Sequence, residues 1–206
     1  MATNRELLTL LAVLIGVTVW SWIEPFDRPT WWMESLPVFI GLMVLVPTHT
    51  RFPLTRLVYY LLFFHAVLLL VGGHYTYARV PFGFWIQDLL DFSRNPYDRL
   101  GHIVQGFVPA LVAREVFLRK HVLQRGAWLF FLVVCFCLAF SAFYELLEWW
   151  TAVFAGDGSI DFLGVQGDIW DAQWDMMLAL IGAIAAQVLL GKTHDRQLAK
   201  LQNAGF

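Results

Sequence analysis

Six apolar runs separated by short polar stretches dominate the chain, near residues 6–23, 31–47, 54–72, 99–118, 127–150 and 172–191. Each approaches the roughly 20 mostly apolar residues that carry an α-helix across a hydrocarbon core. The fourth is the most polar, since it holds His102, Gln105, Pro109 and Arg114. A further stretch, PFGFWIQDLLDF at 81–92, is too short to cross. As a helix it places Phe84, Trp85, Leu89, Leu90 and Phe92 on an apolar side, with Gln87, Asp88 and Asp91 elsewhere, which fits an interfacial or re-entrant segment. No run repeats another and no linker divides the chain. The pattern predicts an all-α integral membrane protein: one domain over 1–206, a bundle of about six transmembrane helices with a short interfacial helix on the outer side. The first run, LLTLLAVLIGVTVWSWI, is too long for a signal-peptide core and lacks a small-residue cleavage site, so a retained first span is expected.

Composition agrees with the pattern. Of 206 residues, 59% are hydrophobic and only 15% charged, with a mean hydropathy of +0.61. Soluble domains carry about a quarter charged residues. The net charge of −2 and the lack of a basic patch leave no basis for a nucleic-acid partner; the expected partner is the lipid bilayer. Basic residues set the orientation. With a cytoplasmic N-terminus, ten of the 14 Lys and Arg fall inside, and only Arg28, Arg79, Arg94 and Arg99 fall outside. Both termini are therefore expected in the cytoplasm, in a multi-pass protein of the bacterial inner membrane. Nine of the ten tryptophans fall at the outer ends and only Trp128 at the inner side, as an outer aromatic girdle or an aromatic-rimmed cavity would require. Cys135 and Cys137 would point roughly 200° apart on a helix, so they neither bridge nor chelate together.

With that topology the unusual polar residues share one layer. Asp98, His102 and Gln105 follow i, i+4, i+7 at the start of the fourth span. Ser141, Glu145 and Glu148 form a similar stripe at the end of the fifth. Asp171 and Asp175 open the sixth, with Asp168 one turn earlier, and the third carries His65 and, at its end, His74. Asp98, Asp168 and Asp171 are also suited to helix N-termini, where the dipole favours negative charge. Glu145 and Asp175 lie a turn or more inside their spans, where a charge must be paired, protonated or turned to a polar cavity.

Carboxylates on neighbouring helices repel, and only Arg94 and Arg99 lie near them in sequence. A divalent cation, a shared proton or those arginines must offset them. Mixed imidazole and carboxylate ligands suit Zn²⁺, Mn²⁺ or Fe²⁺. The candidate ligands are His102, Glu145, Glu148, Asp171 and Asp175, with His102, Glu145 and Asp175 as candidate catalytic groups. Asp98, Arg94, Arg99, His65 and His74 are candidates for contacting a lipid-linked or small-molecule ligand at the outer leaflet. No HExxH or CxxC pair is present, and DGSID at 157–161 lacks the ligand alternation of a calcium loop. Two other classes remain open: a proton-coupled or solute transporter with the carboxylates as relays, and a structural or assembly protein whose polar cluster orders the bundle.

FHAVLLLVGGHYTYARVPFG, YDRLGHIVQGFVPAL, FYELLEWW and GVQGDIWDAQWDM, in that order, resemble the signature blocks of the YjdF family of bacterial inner-membrane proteins. The resemblance covers nearly the whole chain and implies a multi-pass protein of the cytoplasmic membrane, with no activity attached. The order Asp-Arg-x-x-His, Tyr-Glu-x-x-Glu, Asp-x-x-x-Asp is more loosely similar to the VanZ-like membrane proteins, one of which is linked to glycopeptide-antibiotic tolerance. That likeness matches Asp98 and His102, then Glu145 and Glu148, then Asp171 and Asp175. Here Asp175 stands where that family has Asn, and Leu178 where it usually has Gly.

Overall fold

A computed structural model describes residues 2–155 and 166–204, so DGSID lies outside the described residues. The described residues form seven α-helices and no strand: α1 Asn4–Trp22, α2 Arg28–Thr48, α3 Arg56–Tyr75, α4 Pro81–Leu90, α5 Tyr97–Arg119, α6 Ala127–Ala155 and α7 Asp171–Asn203. A single 3₁₀ turn, Tyr77–Arg79, lies between α3 and α4. Every apolar run is a helix, and five (α1, α2, α3, α6, α7) are long and apolar enough to cross a membrane. The exception is α5, the run marked out by its polar residues. It has the length of a span but little need of lipid, because it is enclosed by its neighbours.

Local signals fix the helix ends. Thr3 and Glu6 form a reciprocal capping box at α1: the Glu6 N–H donates to Thr3 Oγ1, and Glu6 Oε2 accepts from the Thr3 N–H. Asp27 caps α2 by accepting from the Thr30 N–H at 2.7 Å. Pro81 opens α4, where a missing N–H costs nothing, and Asp91 ends it in the left-handed region. Cys135 and Cys137 are both free thiols.

The packing is that of a protein dissolved in lipid: apolar side chains cover the outside and polar ones sit within. Leu8, Met43, Phe64, Phe131 and Val188 are more than half exposed, while Glu34, Asp98, His102, Glu115, Asp175 and His194 are buried. α1, α2 and α3 join through Ser21, whose hydroxyl donates to the Leu70 carbonyl at 2.6 Å and accepts from Trp31 Nε1 at 2.7 Å. α5 and α7 make the most extensive helix contact, built on two glycines. A Cβ at Gly106 would lie 1.8 Å from the Ala179 carbonyl oxygen, and one at Gly182 would lie 2.1 Å from that of Ile103. Only glycine allows backbones this close.

The helices alternate in direction, so the ends of α1, α3 and α6 meet the starts of α2, α5 and α7 at one face. The chain termini lie at the other. α7 is the longest helix, 33 residues or about 50 Å, against a hydrocarbon core of about 30 Å. Its last turns therefore run on beyond the core at the face that holds the termini.

Candidate functional site

The polar layer lies at the face away from the termini. Asp98 and His102, one turn apart on α5, face Glu145 and Glu148 of α6 and Asp175 of α7. His102 is the hub. Its Nε2 is 3.6 Å from Asp98 Oδ1 and 3.7 Å from Asp175 Oδ2, while Nδ1 is 3.9 Å from Glu145 Oε1. All four side chains are at most 11% exposed. Two sets have ligand-type atoms mutually within 4.8 Å, Asp98–His102–Asp175 and His102–Glu145–Glu148, and His102 belongs to both.

Hydrogen bonding separates the two sets. Gln105, one turn along α5, presents Oε1 at 2.8 Å from His102 Nδ1, so Nδ1 carries the proton and donates it. Nε2 is turned to Asp98 and Asp175. A ring N–H held by an acceptor while the other nitrogen faces carboxylates is the arrangement that orients metal-binding histidines. Ligands about 2.1 Å from a shared ion stand roughly 3.0–3.4 Å apart at octahedral or tetrahedral angles. The observed 3.6 and 3.7 Å are too long for hydrogen bonds and a few tenths of an ångström from that spacing. Asp175 Oδ1 and Glu145 Oε1 are buried with no hydrogen-bond partner.

The arginines serve the rim of the layer. Arg94 donates to Asp171 Oδ1, and to Asp98 Oδ2 at 3.3 Å, with Asp168 at 3.9 Å. Arg99 donates to Asp168 Oδ2 at 2.8 Å and lies over the Trp174 ring. Asp168 also accepts from the Trp170 N–H and so shapes the turn into α7. Asp98 thus divides its oxygens, Oδ2 to Arg94 and Oδ1 to His102. Asp171 is brought to the arginine rather than to His102.

The other two candidate histidines separate. His65 lines a cavity of about 50 Å³ with Asp98, His102 and Glu148, and its Nε2 is buried without a partner. His74 is turned to α1 instead, with Nδ1 at 3.1 Å from the Ser21 carbonyl and its ring against Trp20. The cavity also takes in residues not singled out from the sequence: Glu34 of α2, Tyr77 of the 3₁₀ turn and Tyr144 of α6. A signal for Glu34 existed, an acid four residues into an apolar run. The Tyr144 signal was its place beside Glu145. Nothing in the sequence ties Tyr77 to them.

In this layer seven carboxylates (Glu34, Asp98, Glu145, Glu148, Asp168, Asp171, Asp175) meet two guanidinium groups and two imidazoles, His65 and His102. The arginines are committed to Asp98, Asp168 and Asp171, which leaves the acids around the cavity with His102 and His65 as the nearby bases.

The chain has a curated relative, the inner membrane protein YjdF of Escherichia coli (strain K12), which is 50% identical over 197 residues. The alignment covers 96% of this chain and 92% of the relative. No solved structure matches it. The sequence profile described as "Predicted membrane protein (DUF2238)" matches residues 6–196, and with a relative so similar over nearly the full length, the chain belongs to that family of inner-membrane proteins.

Proposed function

We propose that the protein binds a divalent metal ion between α5, α6 and α7, at the outer face of the inner membrane, and uses it on a lipid-linked or small-molecule ligand of the cell envelope. The observation that carries this reading is His102, whose Nε2 faces Asp98 and Asp175 at ligand-like spacing, with Asp175 Oδ1 buried and unpartnered. A divalent ion there offsets the surplus of buried carboxylates, and as a Lewis acid it would polarise a phosphoryl or carbonyl oxygen or sharpen a bound water. Glu145, on the Nδ1 side of His102, stands ready as acid or base.

Size limits what enters. The cavity of about 50 Å³ beside Asp98 and His102, which Asp175 and Glu145 do not line, admits a few waters but not a lipid headgroup. The reacting group of a larger substrate reaches the ion from the rim, where a phosphate would compete with Asp168 and Asp171 for Arg99 and Arg94. The outer placement rests on the positive charges gathered at the opposite face. A transport pathway would need polar groups through the bundle, yet below His102 the α5–α7 seam is closed by Gly106, Ala179 and Gly182 in backbone contact. A cluster that merely orders the bundle is expected to satisfy its own oxygens, and Asp175 Oδ1 is not satisfied.

The test is elemental analysis of detergent-purified protein, stripped with chelator and reloaded with Zn²⁺, Mn²⁺ or Fe²⁺. About one ion per chain is expected, lost in His102→Ala and Asp175→Ala. Gln105→Leu, which removes only the acceptor that orients the ring, is expected to weaken affinity roughly 10–100-fold. Unsubstituted protein that takes up none of these metals would overturn the reading.

A further inference from the structure

A second polar assembly lies at the other face, outside the site above. Glu115 of α5 is fully buried. It accepts from the Thr55 N–H at 2.9 Å, the Thr55 hydroxyl at 2.8 Å and Arg119 at 3.0 Å. His194 of α7, also fully buried, stands with Nε2 at 3.0 Å from Glu115 and Nδ1 at 3.1 Å from Arg114. Arg114 can only donate, so Nδ1 accepts and the proton sits on Nε2, bonded to Glu115. Arg114 also grips both oxygens of Asp195, at 2.9 and 3.0 Å, and Asp195 accepts from Arg125 Nε at 2.9 Å. Three guanidinium groups are thus set against two carboxylates, with Lys120 and His121 adjacent in the chain. The network is self-satisfied but keeps a positive surplus.

That surplus faces a cup of about 420 Å³ lined by Arg119, His121 and Arg125 over a floor of Leu118, Leu123 and Leu198, with no carboxylate among the lining residues. The turn that builds it is tight. The Val122 and Leu123 N–H groups both donate to the Phe117 carbonyl, and His121 takes a left-handed φ of 54°, uncommon outside glycine. Arg125 is half exposed, and Asp195 engages only its Nε, so its terminal nitrogens are available to oxygens entering the cup. Next to it, Val122 and Trp128 are 62% and 71% exposed. An exposed indole at the end of a membrane-spanning helix marks headgroup depth.

From the acid-free basic lining, the leucine floor and this depth, we infer that the cup is a binding site for the phosphate headgroup of a membrane lipid in the leaflet on the side of the termini. The guanidinium fork of Arg125, aimed by Asp195, matches phosphate oxygens in shape and charge. The leucines accept the first carbons of the glycerol and chains. This inference is independent of the metal site, and its test uses chelator-treated protein, so the two readings fail separately.

The experiment is lipid binding by native mass spectrometry of delipidated protein titrated with phosphatidylglycerol, with glycerol 3-phosphate as a soluble arm. One saturable lipid is expected, weakened about tenfold in Arg125→Gln and in His121→Ala, as for loss of a charge-assisted hydrogen bond. Arg196→Ala removes an exposed charge from the same face but from outside the cup, and is expected to bind as the unsubstituted protein does. Neither Arg125 nor His121 is needed by the buried network, since Arg114 still holds Asp195. Equal losses in all three variants would reduce the effect to general surface charge and overturn the site. Glycerol 3-phosphate binding as tightly as the lipid, with the same Arg125 dependence, would overturn the lipid in favour of free phosphate.

Discussion

Replacing Gly106 with alanine tests whether the α5–α7 contact sets the geometry of the His102 site. The added Cβ would sit 1.8 Å from the Ala179 carbonyl oxygen and 2.8 Å from its Cα, where ordinary contact begins near 3.4 Å. Neither obstacle is a flexible side chain, so the helices must part by about 1.5 Å, at a cost of roughly 1–3 kcal/mol for an overpacked interface. For a chain of this size that corresponds to a fall of roughly 2–12 °C in apparent Tm. The site moves too, because His102 lies one turn before Gly106 and Asp175 one turn before Ala179. Parting the helices carries His102 Nε2 from 3.7 Å to about 5 Å from Asp175. Thermal unfolding in detergent and metal affinity are read together, with Gly41→Ala as the control, since a Cβ there meets nothing within 4 Å. Alanine at Gly41 is expected to leave stability equal or slightly higher, as in any helix interior. If Gly106→Ala melts within about a degree of the parent, or the control falls as far, the close contact does not govern the site.

Two further outcomes are expected. Glu115→Ala strips the buried acceptor from Arg119, His194 and Thr55 and is expected to cost roughly 3–5 kcal/mol, mostly because Arg119 stays buried without its partner; Glu115→Gln should lose less, and an alanine variant as heat-stable as the parent would count against the network. A fluorescent protein fused after Phe206 should fluoresce and a periplasmic phosphatase fused there should be inactive, as ten basic residues at that face require; an active phosphatase would reverse the orientation and with it the assignment of the metal site to the outer leaflet.

The helices were legible because lipid imposes a simple rule on composition, and every long apolar run became one. Helix ends were read less well where packing decided them. α6 runs five residues past its apolar stretch; α7 runs twelve past its own, where His194 bonds to Glu115 of α5 and Leu198 and Leu201 are buried. At the carboxylate site, periodicity placed Asp98, His102, Glu145 and Asp175 at one depth, since each stripe stays on one face of its own helix. It carried no information on which oxygen faces which nitrogen. Arg94 taking Asp171, and Gln105 fixing the His102 ring, are matters of azimuth between helices. Glu34 shows the same limit: the acid was visible, its neighbours were not. The Glu115–His194 network escaped notice because its basic members read as ordinary positive charges at a membrane boundary.

The two polar layers differ in a way that supports the proposed reading. Around Glu115 every acceptor is met: the carboxylate has three partners, His194 uses both nitrogens and Asp195 uses both oxygens. Such closure locks α3, α5 and α7 at one end, and removing any member exposes a cost. Around His102 the distances are too long, and buried oxygens on Asp175 and Glu145 are left over. Both layers were shaped by the same chain under the same penalty for unpaired buried charge, so failure to close at only one of them is informative. The glycine seam between the layers makes the difference mechanical as well. It holds α5 and α7 at a fixed separation one turn beyond the open site, so the proposed ligands are positioned by backbone contact rather than by each other. Ligands held apart by a rigid scaffold, with their mutual bonds unmade, are what a preformed ion site requires and what a cluster built only for stability would avoid.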